Sequence, residues 1–101
     1  MFILNITFNV EISVLPNWKK FMGKVFMPYA NVQEKFAGHD FYQVMVDDPE
    51  SETYSYQLIA KSEADIESFK KDIFPSLIRE MQQAFGQKVL HFDTILKEAT
   101  I

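Results

Sequence analysis

The segment Phe2-Ile3-Leu4-Asn5-Ile6-Thr7-Phe8-Asn9-Val10 decides the fold. Asn5, Thr7 and Asn9 fall between Leu4, Ile6, Phe8 and Val10, and a period of two is the mark of a strand whose successive side chains point to opposite faces of a sheet. Two later stretches repeat it. Ser55 and Gln57 oppose Tyr54, Tyr56 and Leu58, and His91 and Asp93 oppose Leu90, Phe92 and Leu96. Together they predict one sheet with a greasy side and a polar side. The polar side is where a function would sit, which makes Asn5, Thr7, Asn9, Ser55, Gln57 and His91 the candidate ligand-binding residues. No catalytic motif accompanies them, so the pattern indicates an architecture and a face but no reaction.

Outward from the first strand, roughly Phe2 to Ile12, Ser13 and Pro16 open a helix, since proline costs little in a first turn where its missing donor is not needed. Leu15, Trp18, Met22, Val25 and Tyr29 recur at three- and four-residue spacing and predict its buried stripe, with Lys19, Lys20 and Lys24 on other faces. Pro28 is expected to kink or break this helix near Met27, with a further turn reaching about Lys35 before Gly38 ends it. A second strand is read over Phe41 to Val46. The run Asp47-Asp48-Pro49-Glu50-Ser51-Glu52 connects it as a hairpin to a third strand from Thr53 to Lys61.

Ser62 with Asp65 resembles a capping box, and Ile66, Phe69, Ile73, Leu77, Met81 and Phe85 mark a long amphipathic helix that Pro75 interrupts. Gly86 supplies its stop, and a last strand runs from Gln87 to about Lys97. The order β-α-β-β-α-β predicts a single ferredoxin-like α+β sandwich over residues 1–101, with both helices on one face of a four-stranded antiparallel sheet. Leu4, Ile6, Phe8, Tyr56, Leu58, Leu90 and Phe92 are then expected to meet the helices.

Composition narrows the function classes. A chain of 101 residues that is 48% hydrophobic can fill one core without staples. It contains no cysteine, which removes disulfides, thiolate metal sites and cysteine nucleophiles and suits a reducing cytoplasm. The amino-terminal residues lack the basic opening and unbroken apolar stretch of a secretion signal, and no apolar run approaches the roughly 20 residues of a membrane-spanning helix. No membrane partner is expected. A net charge of −4 repels phosphate backbones, so nucleic acid is not an expected partner either. Ten phenylalanines imply an aromatic-rich core, a subunit interface, or both.

Phe2-Ile3-Leu4-Asn5-Ile6-Thr7, Trp18 with the following Met27-Pro28, and Phe85-Gly86-Gln87-Lys88-Val89 before the last strand resemble the bacterial DUF4286 family, short proteins known only as a domain of unknown function. The resemblance spans essentially the whole chain. It implies a fold similar to the dimeric α/β barrels, in which two ferredoxin-like sheets pack face to face, and it implies no activity. In such a homodimer the polar face lines an enclosed space, where Asn5, Asn9, Gln57 and His91 need partners from each other, water or a small-molecule ligand.

Other candidates compete with ordinary structural roles. His91 and Asp93 lie two apart on one strand, so the carboxylate could orient the imidazole, or both could enter a metal site that would need further carboxylates; the plain alternative is a hydrogen-bonded sheet histidine. No metal and no cofactor are expected. His39-Asp40 after Gly38 reads as turn chemistry. The acidic hairpin lacks the spacing and glycine of an EF-hand loop. Arg79, beside Glu80, reads as a surface ion pair, and Trp18, Tyr54 and Tyr56 as core. The basic-glycine-aromatic signature of RNA-binding sheets of this topology is missing.

Dimeric α/β barrels also include small cofactor-independent monooxygenases and haem-degrading enzymes. An asparagine on the first strand, Asn5 or Asn9, is similar to the haem-degrading group. That group's histidine on the second long helix has no counterpart between Ser62 and Phe85, and its third-strand tryptophan has none between Thr53 and Lys61. The expectation is therefore a small-ligand-binding or interaction module built as a sheet-to-sheet homodimer. Its alternative is a small cofactor-independent enzyme, monooxygenase-like or isomerase-like, with His91 as acid/base, Asp93 orienting it and Asn5 or Asn9 holding substrate.

Overall fold

In the computed structural model, which describes residues 1–31 and 35–101, the alternating first segment forms β1 (Phe2–Glu11). Leu4, Ile6, Phe8 and Val10 are fully buried on its inner side. A 3-10 turn (Ile12–Val14) leads into α1 (Leu15–Phe21), with Pro16 in the first turn. The helix then widens into a π turn (Met22–Phe26), where the Met27 N–H donates to the carbonyl of Met22, and continues as α2 (Met27–Asn31).

Pro28 explains the wide turn. Its ring would crowd the carbonyl four residues back and it has no N–H to donate. A π turn immediately before it takes up the misfit, so the helix is re-wound rather than broken near Met27. The turn also changes which residues are buried. In a straight α-helix, positions four apart drift by about 40° per step, yet Trp18, Met22, Phe26 and Ala30 are each at most 1% exposed. The expected stripe through Val25 and Tyr29 is thus corrected: these two are 37% and 48% exposed, because the π turn hands the buried face to Phe26 and Ala30. The further turn expected to reach Lys35 crosses residues 32–34, outside the described residues.

β2 (Gly38–Val44) starts three residues before the expected Phe41. Pairing with β3 (Ser51–Ala60) recruits them: Gly38 lies opposite Ile59 and Val44 opposite Thr53, and the Ala37 N–H donates to the Ile59 carbonyl at 2.7 Å. His39 and Asp40 are therefore strand residues, not the turn their sequence suggests. α3 (Glu63–Asp72) begins at Ser62, whose hydroxyl accepts from the Asp65 N–H at 3.3 Å. Ile73 breaks the helix ahead of Pro75, which sits in the first turn of α4 (Phe74–Phe85). Gly86 ends α4 at φ +59°, a left-handed conformation that costs glycine nothing, and a 3-10 turn (Gly86–Lys88) feeds β4 (Val89–Lys97).

The sheet order is β2-β3-β1-β4 with every neighbouring pair antiparallel. This is the ferredoxin-like α+β sandwich, with the helices on one face. The thinnest dimension, 18 Å, accommodates just these two layers. The core between them is aromatic: Trp18 lies 5.4 Å from Phe8 and 5.2 Å from Tyr54, centroid to centroid, and Phe26 meets Phe8 edge-on. Among the described residues, none forms a layer on the opposite face of the sheet.

Candidate functional site

Register assigns every strand residue to a face, because directly opposed residues in an antiparallel ladder point the same way. Asn5 lies opposite Gln57, Thr7 opposite Ser55 and Asn9 opposite Thr53, all pointing away from the helices. They form a connected polar stripe along the middle of the open face. Ser55 Oγ donates to Asn5 Oδ1, Asn5 Nδ2 to Thr7 Oγ1 at 3.3 Å, and Gln57 Nε2 to Ser55 Oγ at 3.4 Å. Further along, Asn9 Nδ2 donates to Ser51 Oγ at 3.0 Å and to Thr53 Oγ1 at 3.3 Å, while Ser51 Oγ donates to Asp48 at 2.9 Å.

The structure thus brings together Asn5, Thr7, Asn9, Ser55 and Gln57. Ser51 and Thr53 join them: sequence reasoning placed Ser51 in the hairpin, and left Thr53 out of the set although its strand and its phase with Ser55 were read. Asn9 Oδ1 and Gln57 Oε1 accept from no described residue, so the stripe presents acceptors outward. Near Asn9 and Ser51 the face opens into a groove of about 590 Å³, rimmed by Glu11, Asp48, Glu50 and Lys88. Asp48 there is held by the turn: the Glu50 N–H and then the Ser51 hydroxyl donate to it and lower its pKa below the ordinary carboxylate value. Among the described residues, no three histidine or carboxylate side chains are grouped to hold a metal ion.

His91 and Asp93 require a correction of face. His91 pairs with Phe8 and Asp93 with Ile6, both inner-face residues, so the β4 polar pair points toward the helices. There Lys70 of α3 makes an ion pair with Asp93 at 2.6 Å, and the Phe74 ring meets the His91 imidazole edge-on at 6.1 Å. The physical reason is β4's place at the sheet edge. Its inner side is only partly covered, so half-buried polar groups are tolerated once Lys70 neutralises the carboxylate. Asp93 is thereby committed to Lys70, and the imidazole stands on the opposite side of the sheet from Asn5 and Asn9. The acid/base arrangement of His91, Asp93 and an asparagine is not assembled in one place.

The residues expected to be greasy and inward on β4 are turned outward instead. Leu90 and Phe92 lie opposite Asn9 and Thr7, and they are 58% and 63% exposed; Leu96 shares their side. At the other edge, Tyr42 and Val44 of β2 also point outward and are exposed. The open face is therefore a polar stripe between two apolar flanks. The signal that could have shown it was the carboxylate in β4: Asp93 had a lysine available on the helix above it and none on the face below.

A second polar pair lies on the helix side. Tyr56 is fully buried, and its hydroxyl sits 2.6 Å from His39 Nδ1. Burial pushes the Tyr56 phenol well above the usual tyrosine pKa, and the Tyr54 phenol is raised by burial and by its hydrogen bond to Glu52. A folded-state pKa raised above the unfolded value of about 10 gives stability that is intact below pH 10 and lost as pH climbs beyond it. We expect the urea midpoint to fall from pH 9.5 to 11, with a slope of up to about 1.4 kcal/mol per pH unit from Tyr56. The slope should flatten in Tyr56→Phe, and an equally steep fall in that variant would show the phenol is not its source.

Comparison with known proteins agrees with this architecture. Among curated proteins none matches the chain in sequence. Several solved structures share its fold at low identity. An ethyl tert-butyl ether d (EthD) family protein from Bacillus halodurans is 11% identical, with a TM-score of 0.67 over 98% of this chain and 100% of that one. HapK from Hahella chejuensis is 12% identical, with a TM-score of 0.65 over 98% and 93% of the two chains. A candidate monooxygenase from Shewanella loihica is 15% identical, with a TM-score of 0.60 over 99% and 96%. Identities this low establish a shared fold and carry no activity across. The family model for Domain of unknown function (DUF4286) matches residues 1–99, and the chain belongs to that family.

Proposed function

We propose that this protein is a small-ligand-binding or interaction module that works as a sheet-to-sheet homodimer, with the polar stripe lining the space between two copies. The observation that carries the reading is the open face itself, where exposed Leu90, Phe92 and Leu96 on one edge and Tyr42 and Val44 on the other flank Asn5, Thr7, Asn9, Ser55 and Gln57. A second copy satisfies this pattern by symmetry. Any two-fold axis lying between the sheets, along the strands or across them, sets apolar flank on apolar flank and polar stripe on polar stripe.

The size is adequate. Four strands at about 4.8 Å spacing and nine residues at about 3.3 Å rise project roughly 600 Å² per copy, or about 1,200 Å² in total, at the lower bound of specific interfaces. Desolvation is inexpensive, since Asp40 and Glu11 are the charged side chains that the strands present on this side. The uncharged amides and hydroxyls, with outward acceptors on Asn9 and Gln57, suit a neutral small molecule bearing hydroxyl or amide donors. An acidic chain without cysteine suits the bacterial cytoplasm and makes a poor partner for nucleic acid.

Native mass spectrometry of gently purified protein tests both parts. A dimer carrying extra mass supports the dimer and its ligand, a clean dimer supports the interaction module alone, and a monomer at micromolar concentration overturns the reading.

A further inference from the structure

The two edges of the sheet are not alike. β4 carries His91, Asp93 and Lys97 along its length, the charged and polar placements with which natural sheets blunt a free edge. β2 carries His39 and Asp40 at one end and no such guard beyond them. From Phe41 to Val46 it reads Phe-Tyr-Gln-Val-Met-Val, six residues without a charge, rich in aromatic and β-branched side chains. This run also outlasts its pairing. The ladder to β3 ends at Val44 opposite Thr53, and beyond it Met45 and Val46 stand 88% and 58% exposed. An uncharged strand edge with no neighbouring strand on its outer side is a template for another strand.

We propose that the β2 edge is a second self-association surface, on which Phe41–Val46 of one copy pairs antiparallel with the same stretch of another about a two-fold axis at Gln43. The occupant is a second copy because the segment is complementary to itself in this register. Tyr42 falls opposite Val44, an aromatic against a β-branched side chain, and Phe41 falls opposite Met45, whose thioether covers a ring that is 39% exposed in the single copy. Asp40 falls opposite Val46, so the two aspartates do not confront each other. Opposed residues must share a face, so the axis passes through a residue and not between two, and an axis at Val44 would set Asp40 against Asp48. Moving it to Phe41 leaves Met45 and Val46 uncovered, and moving it to Met45 brings Asp47 and Asp48 against Gln43 and Tyr42.

Pairing at this edge extends the sheet in its own plane and uses backbone groups, so it leaves the open face free for the proposed face-to-face dimer. With both contacts the assembly closes as a tetramer when the face-to-face axis runs across the strands, and grows as a chain when it runs along them. Sedimentation velocity on the wild-type protein should show two copies associating into four or more as concentration rises. Val46→Asp sets like charges together at both ends of the ladder and should weaken this step about tenfold. The double variant Asp40→Lys/Val46→Asp replaces repulsion with attraction and should restore it.

Amides of residues 41–45 should exchange more slowly at high concentration in the wild type and not in Val46→Asp. If the face-to-face reading fails, the same signature appears as one copy going to two, still sensitive to Val46→Asp and indifferent to Phe92→Asp. Association unchanged by Val46→Asp, or no association above the face-to-face dimer, overturns the proposal.

Discussion

Replacing Phe92 by aspartate should weaken the face-to-face dimer by about a hundredfold or more, while leaving the fold of each copy in place. The side chain is 63% exposed in the isolated chain, so a charge there costs the monomer little, within about 0.5 kcal/mol. In the proposed dimer the same position is buried, and the two-fold axis makes the substitution count twice. A buried aromatic anchor contributes about 2 kcal/mol or more on truncation, and a desolvated carboxylate adds to that loss. Analytical ultracentrifugation would read the change directly. His91→Ala is the matched control: its side chain is on the helix side, so the dimer should persist. A dimer unaffected by Phe92→Asp would remove the open face as the interface.

The largest effect on stability is expected at Trp18. Its side chain is fully buried and packs on Phe8 and Tyr54, with Phe41 at 6.1 Å. Truncation to alanine should cost about 3–5 kcal/mol and lower the melting temperature by roughly 15–30 °C, a large part of the 5–15 kcal/mol typical of a domain. Circular dichroism is the appropriate probe, since Trp18 is the sole tryptophan. Trp18→Phe separates two contributions. The indole N–H is buried with no hydrogen-bond partner among the described residues, so phenylalanine loses volume but also removes a donor they leave unsatisfied. Its cost should be smaller, about 1–2 kcal/mol. A loss below about 1 kcal/mol in Trp18→Ala would show that the aromatic cluster is not the centre of the core.

Element order was legible in the residues because each signal was local. Alternation around Asn5, the Ser62 cap, the break before Pro75 and the stop at Gly86 each act within a turn or a strand, and together they leave one topology. Two features were not legible, for a common reason: their outcome is set by a partner distant in the chain. The phase of β4 is fixed by pairing with β1 and by Lys70 on α3, and apolar Leu90 and Phe92 look like core until a second apolar-covering surface is considered. His39 and Asp40 become strand residues only because Leu58 and Gln57 lie across from them. Of the candidate site, the five residues on β1 and β3 were readable from alternation alone, and Thr53 shares their phase, whereas Ser51 needed the ladder to join the strand.

The wide turn at Met22–Phe26 has a consequence for sequence length. It holds one residue more than an α-helical path between the same endpoints, so the first helix contains a built-in insertion whose excess is spent locally. Deleting Gly23, whose neighbourhood is open, would let the coil close to ordinary α geometry with the flanking turns left in place, whereas deleting a residue from the ordinary α turns would rotate everything after it by about 100°. Ala30 would keep its place in the core in the first case and lose it in the second. One residue of chain length is therefore dispensable at the wide turn and constrained elsewhere in this helix, and homologues that lack the extra residue would be expected to carry their buried side chains one place earlier.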